Sequence, residues 1–303
     1  MKRLNYFVCA ALAVAAAVSC NNEPEVIDFP IVGDFTIYGA SGSAEGTWAA
    51  NTSVGVYVTS DGVTQENLEY TPSSTEVTES VELKAKGTKA GFKQGDHVVY
   101  AYYPYATAEG NSVIIGDMTK QETTKSIPSW VYDAGLGDMA DMFASYASKI
   151  SAVYAAKKEV KEYSSAPIDL GTFAAANVSI SVAEPGFGGE DGAALEGKKV
   201  EKVVITSNKT IAYKDAKYDV VAGKVLGTEA SNSIEIAADM VVKYLGAASA
   251  YAFDFTTCLS AEELADATFT IEFQVEGGKK FAAVDYTANA SNMIVAVTLE
   301  PMN

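Results

Sequence analysis

Arginine occurs once in this 303-residue chain, at Arg3, and histidine once, at His97. Cysteine occurs three times, at Cys9, Cys20 and Cys258. These scarcities remove whole classes of chemistry. A zinc centre needs several His or Cys ligands, and this chain does not offer them. A serine hydrolase would have to use His97, and no Gly-x-Ser-x-Gly elbow is present to hold a nucleophile. Gly192-Ala-Ala-Leu-Glu-Gly197-Lys198 nearly spells a phosphate-binding loop, but the next residue is Lys199 rather than the Ser or Thr that would hold magnesium. It also precedes a strand pattern, where the phosphate cradle needs a helix. Gly189-Glu-Asp-Gly192 lacks the alternating oxygen ligands of a calcium loop. Glu262 and Glu263 are neighbours on a helical pattern and point apart, so they do not form an acid/base couple. The expectation is a protein with no enzymatic activity, no metal and no cofactor.

The N-terminus reads as an address. Lys2 and Arg3 precede an apolar run from Tyr6 to Val18, too short to span a bilayer comfortably and without a stop-transfer flank. It ends at Ala17-Val18-Ser19-Cys20. That quartet resembles the lipobox of bacterial lipoproteins, with Ala17 in the place of the usual Leu. The resemblance implies that residues 1–19 are a signal peptide and that Cys20 is acylated. Each buried methylene adds about 0.8 kcal/mol, so more than one acyl chain anchors firmly. Cys9 leaves with the signal and Cys20 carries lipid, so Cys258 has no partner for an intrachain disulfide. Residues 20–28 then form an acidic tether.

Loss of residues 1–19 removes Lys2 and Arg3 and leaves 20 basic residues against 39 acidic ones, a net charge of −19. Such a chain repels nucleic acid and anionic head groups, and neither is expected as a partner. The remaining length suggests two domains of ordinary size, 29–165 and 166–303, parted where Ser164-Ser-Ala-Pro167 breaks the pattern.

What the chain does contain is short β-type runs. These are Phe35–Tyr38, Ser53–Thr59 ending at Asp61-Gly62, Asp96–Tyr103 ending at Pro104, Val178–Val182, and Val200–Thr206. Phe269–Val275 and Phe281–Tyr286 flank Glu276-Gly-Gly-Lys279, a hairpin whose glycines supply the positive φ of a tight turn. Met293–Leu299 is the last strand. Many short strands separated by Gly, Asn, Asp and Ser indicate an all-β sandwich architecture. Ser260-Ala-Glu-Glu263 is a capping box able to open a short helix through Leu264. The Ala-rich stretch 138–163 allows a strand at Asp141–Ala147 and a helix at Val153–Tyr163.

Tyr100, Tyr102, Tyr103 and Tyr105 crowd six residues. On a strand Tyr100 and Tyr102 share one face and Tyr103 and Tyr105 the other. Two readings stand for them: rings packed in the core around Pro104, or an exposed platform that contacts a ligand by stacking on sugars.

Trp48, Ser53-Val-Gly-Val-Tyr-Val58 and Gly95-Asp-His-Val-Val-Tyr-Ala-Tyr-Tyr-Pro-Tyr105 together resemble the N-terminal domain of the fimbrillin-like proteins of type V pili. Gln121 with Asp138-Met-Ala-Asp-Met-Phe143, and Tyr218-Asp-Val-Val-Ala-Gly-Lys-Val225, are similar to further segments of that family. The resemblance covers most of 29–299. It implies two consecutive transthyretin-like Greek-key β-sandwich domains. It implies a fimbrial subunit, anchor or accessory protein in cell adhesion, on the outer membrane through lipid on Cys20 or within the fimbrium, with other pilus subunits as partners and a host protein or glycan as receptor. In that family a trypsin-like protease cuts after a basic residue, usually Arg. The first strand is lost, and a neighbour's strand fills the groove by β-strand addition. This chain departs at that step: from Cys20 to Val81 there is no Lys or Arg, and the first basic residue is Lys84. The expectation is a retained anchor, or trimming by another protease. The alternative function is a non-polymerising surface lipoprotein that binds host or dietary glycans.

Overall fold

The computed structural model describes residues 32–33, 36–43, 46–60, 63–76, 79–92, 95–161, 166–187, 194–195, 197–241, 252–288 and 294–302. The signal segment, Cys20, the tether, Phe35, Asp61-Gly62, Gly189–Gly192 and Met293 lie outside them. The architecture is all-β, as expected, built of curled sheets around two apolar cores. Among the described residues no helix is long and apolar enough to cross a membrane.

The first sheet runs Ile168–Thr172, Ile37–Ala40, Val81–Ala85, Val63–Pro72, Val54–Ser60, His97–Tyr103, Tyr154–Val160, Ala174–Ala175. Its two edge strands are consecutive in sequence, separated by Phe173 alone. One segment, 168–175, therefore clasps both margins of the sheet, pairing with Ile37–Ala40 on one side and with Tyr154 and Ala155 on the other. Trp48, Val54, Val56, Val58, Val99, Ala101, Tyr103 and Phe173 fill the enclosed core.

Alternation explains why the central strands are buried at nearly every position. In Val54–Ser60 the valines at 54, 56 and 58 face the enclosed core, while Tyr57 joins the second core on the far side. Gly55 is small because the Tyr102 ring lies across it: a Cβ there would stand 2.1 Å from Cε1 of that ring. The layer covering the outer face is a four-stranded sheet in which Ser112–Gly116 and Ala216–Asp219 present Val113 and Tyr218 inward.

A second sheet closes into a nine-stranded barrel. Its order is Lys120–Ser126, Ser145–Ser148, Ala252–Thr256, Ser179–Phe187, Ile294–Pro301, Lys279–Thr287, Thr268–Val275, Lys199–Ser207, Ser233–Val241, and back to Lys120–Ser126. Strand Thr268–Val275 alternates buried and half-buried along its whole length, as its apolar period dictates. The Gly277-Gly278 turn joins it to Lys279–Thr287, with φ of 90° and 78° at the two glycines. The capping box is formed: Ser260 Oγ accepts from Glu263 N at 3.3 Å and Glu263 Oε2 accepts from Ser260 N at 2.9 Å, opening the helix Ala261–Leu264.

Two expectations change. Val153–Tyr163 is not a helix: Tyr154–Val160 is a strand antiparallel to His97–Tyr103, with Ala155 opposite Tyr102 and Ala156 opposite Ala101. Alanine and lysine favour helix locally, but small side chains are what fits beside large tyrosines, and tertiary pairing prevails over propensity. Asp141–Ala147 divides into the end of a 3₁₀ turn, Gly137–Phe143, and a strand, Ser145–Ser148. Strand membership also crosses residue 165: Lys120–Ser126 and Ser145–Ser148 belong to the barrel, and 168–175 returns to the first sheet.

Candidate functional site

The four tyrosines 100–105 occupy a strand and the corner after it. Tyr102 is buried, and its hydroxyl donates to Asn67 Oδ1 at 2.7 Å and accepts from Ala106 N at 3.3 Å. It joins Tyr57 and Tyr218 in a ring cluster with centroid separations of 6.2 and 6.1 Å. Burial pushes the Tyr57 phenol up to about 12 and raises those of Tyr102 and Tyr218 as well, so all three are neutral, and Tyr57 donates to the Gly110 carbonyl at 3.2 Å. Tyr103 is buried on the opposite face, stacked on Tyr154 at 4.9 Å and tilted against Trp48 at 4.8 Å. Its hydroxyl accepts from Gly42 N at 2.9 Å, tying the loop after the first strand to this corner. Tyr100 is half-buried with the Lys157 ammonium 5.7 Å over its ring, and Tyr105 is half-buried beyond the cis Tyr103-Pro104 bond. Tyr102 and Tyr103 thus present no ring face to a ligand.

His97 is buried, and its Nδ1 hydrogen-bonds the Gly95 carbonyl at 2.8 Å. Cys258 is 8% exposed, with Sγ 3.6 Å from the Thr210 carbonyl, and burial pushes its thiol up to about 11. It lies on the wall of a cavity of about 330 Å³ bounded by Lys209, Tyr213, Lys224 and Leu259. Among the described residues no group of three or more His, Cys, Asp or Glu side chains could hold a metal ion.

Two arrangements carry more. The first is the seat of Ile37–Ala40, the first strand of the large sheet, which follows the two-residue strand Val32–Gly33 paired with Gly91–Phe92. Ile37–Ala40 pairs in parallel with Ile168–Thr172 and antiparallel with Val81–Ala85, so it is enclosed by hydrogen-bonding neighbours on both sides. Ile37 is fully buried among core residues that include Leu83, Ile168 and Phe173. Withdrawal of this strand would leave a slot with two open backbone margins and an apolar socket.

The second is an excursion between two paired barrel strands. Ser126 pairs with Ser145, yet the chain between them runs through the helix Ser129–Asp133 and the 3₁₀ turn Gly137–Phe143. It exposes Trp130 at 51% and Tyr132 at 57%, whereas the other tryptophan, Trp48, is 2% exposed. Neither ring was singled out from the sequence, because nothing in the residues around them marks an aromatic that stands in solvent.

No family model and no curated protein matches the chain. Solved structures do. A Bacteroides uniformis protein proposed to act in cell adhesion is similar over 88% of this chain and 96% of its own, at 20% identity and a TM-score of 0.51. A fimbrial protein of Bacteroides vulgatus is similar over 89% and 98%, at 11% identity and 0.38. A Bacteroides thetaiotaomicron protein proposed to bind polysaccharide covers 88% and 90%, at 9% and 0.40. At these identities the likeness shows the fold.

Proposed function

We propose that this chain is a cell-surface adhesion protein of the type V pilus kind, a subunit, anchor or accessory protein, held at the outer membrane by lipid on Cys20 and joined to other subunits by β-strand addition. The observation that carries the reading is the seat of Ile37–Ala40, enclosed between Val81–Ala85 and Ile168–Thr172. An incoming strand there would gain main-chain hydrogen bonds on both sides and an apolar pocket at the Ile37 position, the two components of strand addition.

The basic residues argue for the anchor role. Lys84 lies in Val81–Ala85, so a cut after it would release Ile37–Ala40 together with Val54–Ser60 and Val63–Pro72. Two of those strands are central in the first sheet, and their loss would destroy the socket rather than open it. Retention of the lipid follows, and a partner's strand would take the seat by displacing Ile37–Ala40 rather than after its cleavage. Mass spectrometry of the protein from native membranes tests this: an intact acylated Cys20 peptide is expected. A free new N-terminus between residues 30 and 60 would sink the anchor reading while leaving strand addition standing. Strand addition is tested separately, by electron microscopy for fibres containing this chain and by capture of partner subunits on the intact protein.

A further inference from the structure

The excursion between Ser126 and Ser145 is a rigid mount for two exposed aromatic rings. Its helix is only Ser129–Asp133, yet it closes with a complete C-terminal motif. Gly135 takes φ of 72°, its N–H donates to the Tyr132 carbonyl at 3.0 Å, and the Leu136 N–H reaches back to the Val131 carbonyl at 2.9 Å. This is the Schellman arrangement, which needs the left-handed backbone glycine adopts without strain. Val131 is fully buried and the helix packs on the 3₁₀ turn of the same excursion, while Ala144 joins the barrel core at the excursion's end. Val131 points inward between Trp130 and Tyr132, and helical geometry then turns the two rings outward on either side of it. Phe143 meets Trp130 edge-on at 5.0 Å and 67°, which holds the indole away from collapse onto the surface.

Burial is the ordinary fate of such rings, and a sustained exposed aromatic feature marks a contact surface. The chemistry around the rings selects the kind of partner. Asp133 and Asp138 are exposed on the same excursion and make no ion pair among the described residues. Carboxylates accept hydrogen bonds from hydroxyls and repel anions. With a formal net charge of −17 for the whole chain, phosphate- or sulfate-rich polymers and anionic lipid are disfavoured. An aromatic face that covers C–H groups, beside carboxylates that accept O–H groups, fits a neutral pyranose. We propose that Trp130 and Tyr132, one on each flank of the helix, each offer a stacking face for neutral sugar rings of a surface glycan, with Asp133 and Asp138 as hydroxyl acceptors. The site is separate from the first-strand seat and stands whether or not the chain polymerises.

The intact protein, applied to a printed array of neutral plant, yeast and mucin-type glycans, should bind at least one glycan class. Trp130→Ala and Tyr132→Ala should each weaken that binding about tenfold or more. Trp130→Phe should recover part of it, because a ring face remains. Val284→Ala, an exposed apolar position on another strand, should leave it unchanged. The bound sugar should also shield Trp130 from acrylamide quenching, since Trp48 is already buried. Unaltered circular dichroism melts show that each variant is folded. The proposal is overturned by an array with no signal above background, by undiminished binding in Trp130→Ala, or by equal retention on mucin stripped of its glycans, which would mark a protein partner instead.

Discussion

Gln121 offers the sharpest test of how the barrel is held. It is 1% exposed, and its amide makes four hydrogen bonds. Nε2 donates to the carbonyls of Met118 at 3.1 Å and Thr256 at 2.7 Å, while Oε1 accepts from Thr256 N at 2.9 Å and Ser148 Oγ at 3.0 Å. One side chain thus links strand 252–256 directly to strand 120–126 and ties Ser148 of the strand between them. Gln121→Leu keeps the volume and removes every bond. The N–H and C=O of Thr256 are the groups most deprived; at roughly 1–3 kcal/mol for each buried group left unsatisfied, the loss is about 2–6 kcal/mol. Against an ordinary stability of about 5–15 kcal/mol, that is a large fraction. Urea unfolding followed by far-ultraviolet circular dichroism measures it. Gln121→Glu sharpens the test. It keeps the acceptors and replaces the amide donor by a carboxyl whose pKa burial raises. That variant should be closest to wild type below about pH 4 and lose stability as pH rises. A loss below about 1 kcal/mol in Gln121→Leu would show that the deprived groups find other partners, and would refute the reasoning.

Further outcomes follow from other contacts. Gly55→Ala should cost about 1–3 kcal/mol in the same urea assay, because the ring it meets belongs to a buried, hydrogen-bonded Tyr102 with no room to retreat. In a soluble form with Cys258 as its sole cysteine, the thiol should resist Ellman's reagent at pH 8 and release one equivalent of thionitrobenzoate only in denaturant, since burial has pushed its pKa from 9.0 to about 11. Asp215 accepts from the Thr228 hydroxyl at 2.6 Å and from Glu229 N at 3.1 Å, which lowers its pKa from 3.8 to about 2. Its contribution to stability is therefore present above pH 3.8 and is lost as pH falls toward 2, so Asp215→Asn should flatten the acid-unfolding profile in that window.

The legible parts of the fold were those whose apolar period survives in the residues themselves. Val200–Thr206 and Phe269–Val275 alternate because one face meets the barrel core and the other meets solvent. Lys120–Ser126 was illegible for the opposite reason: Gln121 is its only buried residue, so its place in the barrel rests on backbone pairing and one amide rather than on apolar side chains. Tyr154–Val160 reads as a helix from alanine and lysine and is decided by the tyrosines it lies against, far away in sequence. The division of Tyr100 and Tyr102 from Tyr103 follows from strand alternation, but alternation cannot say whether the outward face meets water or a second layer. Here Tyr218 and Val113 cover it. Trp130 was hidden by the converse effect, since composition gives no sign that an aromatic stands in solvent.

The clasp formed by residues 168–175 imposes an order in time. Ile37 finds Leu83 early, across a modest span of chain, but its other neighbour, Ile168, lies about 130 residues further along. Closing so long a loop adds an entropic cost that the nearer pairing does not meet. While the chain is folding from its N-terminus, Ile37–Ala40 is therefore a margin, open along one side and exchangeable. Once residue 168 arrives it becomes an interior strand. Any event that takes the first strand away, or puts a foreign one in its place, has its easiest moment in that interval, and the last strand to dock on the first sheet acts as its lock.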